Sequence, residues 1–148
     1  MADIHIDDFY RDVAIIFLRL YSVFPRKTTL YVEDICGPDE PDEFGLHHPR
    51  FQAGFSAMVW LAEQDYIAFE ETIRSEALDQ VTLTRKSFLL LSAIDNSVHD
   101  EADERPPSVK EYSGTRITSL RQALHSGSSI HLHHSVSELL AHPPIGDA

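Results

Sequence analysis

The segment from His125 to His134 reads H-S-G-S-S-I-H-L-H-H and is dense in histidine. On a helix His131, His134 and Glu138 stand at i, i+3 and i+7 and share a face, a donor set that suits zinc. A tetrahedral site also needs a closed geometry and outer partners to hold the imidazoles, and the flanking residues identify neither. A solvated helix face is the plainer reading, so no metal is expected. Cys36, the single cysteine, lies among acids that raise a thiol pKa, which favours burial over nucleophilic work. His47 and His48 precede Pro49 and read as helix caps, because no paired base or glycine-rich oxyanion site accompanies them. The six glycines are scattered, without a phosphate-cradling loop. Paired carboxylates fall in loops and on strand edges, where solvation explains them. The expectation is a non-enzyme without a cofactor.

The elements that would position these residues follow from hydrophobic periodicity. Phe9, Val13, Ile16, Phe17, Leu20 and Phe24 share one helical face, starting from Asp7 or Asp8 as N-cap and stopped by Pro25. Tyr10, Ala14, Leu18 and Tyr21 form a second apolar edge, which calls for a partner element. T-T-L-Y-V fits a short strand, and E-D-I-C-G a one-turn helix closed by Gly37. G-P-D-E-P-D-E-F-G is a solvated acidic loop. From Pro49 to Gln64 the positions Phe51, Phe55, Met58, Val59 and Ala62 give a second long helix.

Ile67 to Ile73 alternates with period two, and R-S-E-A turns it into L-D-Q-V-T-L-T, a hairpin. Thr84 caps the next helix, whose Phe88, Leu89, Leu91 and Ile94 are expected to close the core. Residues 97–115 form an acidic, proline-containing linker between a domain at 1–96 and a helical extension at 116–148. In the extension Ile117, Leu120 and Leu124 make one short helix closed by Gly127, and Leu132, Val136, Leu139 and Leu140 make another ended by Pro143. Each is too short to stand alone in water and must pack on the core domain or on a second copy.

A length of 148 residues with 43% hydrophobic content supports one real core plus appendages. One cysteine permits no intrachain disulfide and points to a reducing, cytoplasmic setting. The acidic opening M-A-D-I-H-I-D-D is unlike a signal peptide, and Arg19 breaks the apolar run that precedes it, so no membrane is expected. The formal charge is -12, and the region Thr28 to Thr84 alone carries -10. That disfavours phosphate backbones at long range.

Two stretches resemble the winged-helix superfamily. M-V-W-L-A-E-Q-D-Y-I, with Leu61, Tyr66 and Ile67, is similar to the exit from a recognition helix into the first wing strand, and V-T-L-T-R-K-S-F-L-L-L to the second wing strand entering the last helix. Asp65 and Ser87 stand where that pattern usually has glycine, and the acidic loop is longer than a plain helix-turn-helix needs. The resemblance implies a mainly α fold with a small antiparallel β-hairpin, followed by the C-terminal helical extension. It also implies that Pro49 to Gln64 is the reading helix, with Arg50, Gln52, Ser56 and Trp60 facing outward and Arg74, Glu76 and Asp79 on the wing. One arginine with two polar residues cannot supply a usual set of phosphate contacts. The expected role is therefore protein contact, as an adaptor or regulatory subunit acting as a homodimer through the first helix and the C-terminal pair. The second reading is a dimeric DNA-binding regulator that gathers Arg50, Arg74, Arg85 and Lys86.

Overall fold

The computed structural model describes residues 3–94 and 114–141. It is mostly helical with a small antiparallel sheet. Helix α1 (Ile4–Val23) is followed by β1 (Thr28–Tyr31), α2 (Val32–Cys36), α3 (Pro49–Glu63), β2 (Ile67–Ala68), β3 (Glu71–Ile73), β4 (Ala77–Leu83) and α4 (Arg85–Ser92). Helices α5 (Arg116–His125) and α6 (Ser129–Ala141) complete the described elements. The predicted linker lies mostly outside the described residues, although Thr115 pairs with Ile94 in an isolated bridge.

Asp7 and Asp8 lie inside α1, and Asp3 takes the N-cap position instead. Either aspartate suits a cap chemically, but the helix gains nearly a further turn from Ile4 to Asp7. Pro49 opens α3 at a position whose missing N–H costs nothing, and His48 Nδ1 accepts the hydrogen bond from the Arg50 N–H. Thr84 caps α4 by accepting from the Ser87 N–H. The buried residues of α4 are Ser87, Leu90 and Leu91, whereas Ile94 is 48% exposed. Of the stripe expected from Phe88, Leu89, Leu91 and Ile94, only Leu91 is fully buried, and the buried face is rotated toward Ser87 and Leu90. Phe88 instead stacks on Phe24, ring centroids 4.3 Å apart, at the far end of α1.

Strand β4 is the spine of the sheet, pairing antiparallel with β1 on one side and with β2 and β3 on the other. The single strand expected over 67–73 is split, since Phe69 and Glu70 interrupt it. Arg74 and Ser75 both adopt left-handed backbone (φ 50° and 58°) in the three-residue connection 74–76, which the Glu76 N–H closes by donating to the Ile73 carbonyl at 2.8 Å. Asp65 turns the chain out of α3 at φ 68°.

Helix α1 lies at the centre. Val13, Ile16, Phe17 and Leu20 are fully buried against Met58 and Leu61 of α3 and Leu78 and Val81 of β4. Its second apolar edge is covered by α5 and α6 of the same chain, which bury Ile117, Leu120, Leu132, Val136 and Leu139 in the same cluster. Tyr10 stacks on His133 at 4.1 Å. The first helix and the C-terminal pair, the elements expected to form a homodimer, thus pack on each other within one chain, and Ile4, Ile6 and Ile130 of them remain exposed. Further ties run from the Tyr66 hydroxyl, which donates to the Leu140 carbonyl at 3.2 Å, and from Tyr21 to Ser92. Among the described residues no helix is long and apolar enough to cross a membrane.

Candidate functional site

Between the first half of α3 and the β3–β4 turn lies a cleft of about 370 Å³. Phe51, Phe55 and Leu46 give it apolar walls, and Gln52, Ser56, Arg74 and Ser75 give it polar edges. Helical spacing explains the α3 contribution: residues 51, 52, 55 and 56 fall on adjoining strips one turn apart. The β3–β4 turn supplies the rest, Arg74 and Ser75. Arg74 is exposed, and no carboxylate among the described residues pairs with it.

Three of the residues expected on this face, Gln52, Ser56 and Arg74, do meet in the cleft. The other four do not. Arg50 turns inward: its Nη2 and Nη1 donate to Asp12 Oδ1 and Oδ2 at 2.6 and 2.8 Å, and its Nε lies 3.4 Å from Asp8. Nη1 also donates to Cys36 Sγ at 3.2 Å. Trp60 sits about one turn beyond Ser56 on α3 and outside the cleft, where it meets Phe9 edge-on at 5.3 Å, and it is 37% exposed. Glu76 accepts from His47, and Asp79 accepts from the Thr29 hydroxyl at 2.8 Å, tying β1 to β4. These two carboxylates serve the fold, Glu76 from the turn of the hairpin and Asp79 from β4.

Burial dominates the electrostatics of the inward cluster. The Asp12 side chain is 1% exposed, and its pKa is raised by desolvation despite the bidentate hydrogen bonds from Arg50. The Arg50 guanidinium is shifted further up, chiefly by those same bonds, and stays charged. Burial and then Asp12 push the Cys36 thiol up to about 11, so it is a protonated, inert group. Sequence periodicity gives no signal for this cluster, because Asp12 and Arg50 lie on different helices.

A second hollow of about 290 Å³ lies on the other side of His47, lined by Tyr31, Glu33, Asp39, Pro41, Phe51 and Glu76. The His47 ring forms the wall between the two, stacked on Phe51 at 4.0 Å. Its Nδ1 meets Asp39 Oδ2 at 2.9 Å and its Nε2 meets Glu76 Oε1 at 3.2 Å. His48 supplies the expected cap, whereas the bridging role of His47 was not legible beforehand.

Of the twelve carboxylates between Thr28 and Thr84, nine are exposed, although none of them lines the cleft, to which Arg74 brings a positive charge. Lys86 is drawn away from that face, its Nζ 4.0 Å above the Tyr66 ring and donating to the Gln64 carbonyl. His131, His134 and Glu138 are exposed on α6. No group of three or more His, Cys, Asp or Glu among the described residues is arranged to hold a metal ion.

No family model matches the chain, and no curated protein or solved structure matches it significantly.

Proposed function

We propose that this chain is an acidic winged-helix protein that works through protein contacts, as an adaptor or regulatory subunit of a larger assembly. The cleft between α3 and the β3–β4 hairpin is the surface it offers to a polypeptide. The order α1, β1, α2, α3, hairpin, α4 supports the winged-helix reading. So do the two positions that depart from the usual glycines. Asp65 takes the left-handed turn after α3, and Ser87 donates from its buried hydroxyl to the Tyr66 carbonyl at 2.6 Å.

One observation carries the choice of polypeptide over duplex. Arg50, the only cation on α3, is consumed by Asp12 and Asp8, while most carboxylates of the same region remain at the surface. A reading helix without a free cation, set in a negative field, lacks the phosphate contacts that supply most duplex affinity.

Two measurements test this. Anisotropy of labelled duplex DNA at about 0.15 M salt is expected to show no binding in the micromolar range. A photo-crosslinker at Ser56 is expected to capture polypeptide from the native host, whereas one at the exposed Arg121 of α5, outside the cleft, captures none. Duplex binding that weakens on Arg74→Ala would overturn the reading in favour of a DNA-binding regulator.

A further inference from the structure

His47 stands where three elements meet. The acidic loop that carries it is tied to the β3–β4 turn through Glu76, and to α3 through the Phe51 stack and the Gln52 side chain, which donates to the His47 carbonyl at 2.6 Å. Asp39, on the same loop, accepts from His47 Nδ1 and also from the His48 N–H at 2.9 Å. The His47 side chain is 11% exposed.

The hydrogen-bond inventory decides its protonation state. A neutral imidazole has one N–H and one lone pair, so it satisfies only one of two carboxylates. Here both ring nitrogens face carboxylate oxygens at hydrogen-bond distance. Only the imidazolium donates to both, and loss of its proton sets a lone pair against a carboxylate.

The charged groups around the ring point the same way. Asp39 comes from the loop, Glu76 from the turn and Glu33 from α2, with Tyr31 of β1 lining the same hollow. Arg74 lies across the cleft, His48 is the chain neighbour, and α3 contributes the uncharged Phe51 and Gln52. Desolvation lowers the His47 pKa, but the hydrogen bonds to Asp39 and Glu76, with their charges, outweigh it and the net shift is upward. Asp39 is shifted down, first by the His48 N–H and then by His47.

We propose that His47 is a proton-operated latch: as the imidazolium it pins the acidic loop between hairpin and α3, and on losing its proton it frees the loop and opens the cleft. The latch rests on the reading of that cleft as the partner surface, and it makes partner access a function of pH. Because the folded pKa of His47 lies above the unfolded one, the pinning is fully present below the unfolded value of about 6.5 and fades as pH rises through the folded value. Asp39, shifted the other way, holds until pH falls below the normal carboxylate range.

Amide hydrogen exchange of the intact chain, followed at Leu46 and His48 and corrected for intrinsic rates, tests the latch without any partner. Between about pH 6 and pH 9 the loop-opening constant is expected to rise about tenfold for each unit by which the folded His47 pKa exceeds the unfolded one. His47→Gln is expected to remove that pH dependence. Glu76→Gln, which keeps the imidazole, is expected to lower the His47 midpoint in an NMR titration of its ring proton. A His47 midpoint at or below about 6.5, or equal opening at both pH values, would overturn the proposal. Either failure leaves the cleft reading standing. A working latch with no polypeptide captured at Ser56 would remove the cleft reading alone.

Discussion

Arg50 on α3 clasps Asp12 on α1 with two N–H···O bonds of 2.6 and 2.8 Å, and this joins the central helix to α3. Desolvation raises the Asp12 pKa even so, meaning that the bonds do not fully offset the cost of burying the carboxylate. Removing one partner strands a charge. Asp12→Ala is expected to cost about 3 kcal/mol in urea unfolding, whereas Asp12→Leu with Arg50→Met is expected to return close to wild type. A double variant no more stable than the single one would show that the pair contributes much more than it costs.

Gly54 lies inside α3, where glycine normally costs about 1 kcal/mol relative to alanine. Its presence is explained by crowding: a Cβ at this position would overlap Cys36 Sγ and lie 3.2 Å from Val32 Cγ1. Gly54→Ala is expected to destabilise by about 2 kcal/mol through overpacking, and Cys36→Ala is expected to restore stability when combined with it. Thermal unfolding of the three variants checks both statements.

Cys36 also yields a kinetic expectation. With its pKa near 11 and its sulfur between Arg50 and Asp12, little thiolate is present at neutral pH. Reaction with a disulfide reagent at about pH 7.5 is expected to be at least about tenfold slower in the folded chain than in urea. Equal rates would mean that the cluster opens readily.

Ser87 donates to the Tyr66 carbonyl, which also accepts from the Thr84 N–H, so the junction of β2, β4 and α4 is a small buried network. Ser87→Ala is expected to cost about 1–2 kcal/mol. Hydrogen exchange at the Thr84 amide should rise with it, and an unchanged amide would place the loss elsewhere.

A chain ended after Asn96 exposes the flank of α1 that Leu132, Val136 and Leu139 cover. Circular dichroism and light scattering are expected to report a poorly folded, self-associating product. A stable monomer of that length would show that α1 to α4 suffice alone.

Local chemistry made much of this architecture legible. Pro49 at a helix start, Thr84 at a cap, Gly37 after α2 and the turn at Asp65 each follow from one residue's backbone preferences. What failed needed distance. Nothing at Arg50 signals that Asp12 lies opposite, because the two are 38 positions apart in the chain. The buried face of α4 depended on α5, since Arg116 donates to the Leu90 carbonyl from across that interface. Of the cleft, Gln52, Ser56 and Arg74 were among the outward positions that the winged-helix resemblance implies, whereas His47 required knowing where Asp39 and Glu76 would be brought.

The covering of α1 by α6 also bears on synthesis. Residues 4–23 leave the ribosome early, and residues 129–141 much later, so one side of the first helix stays wet throughout elongation. That flank of α1 is apolar surface which the growing chain carries uncovered until α6 has been made.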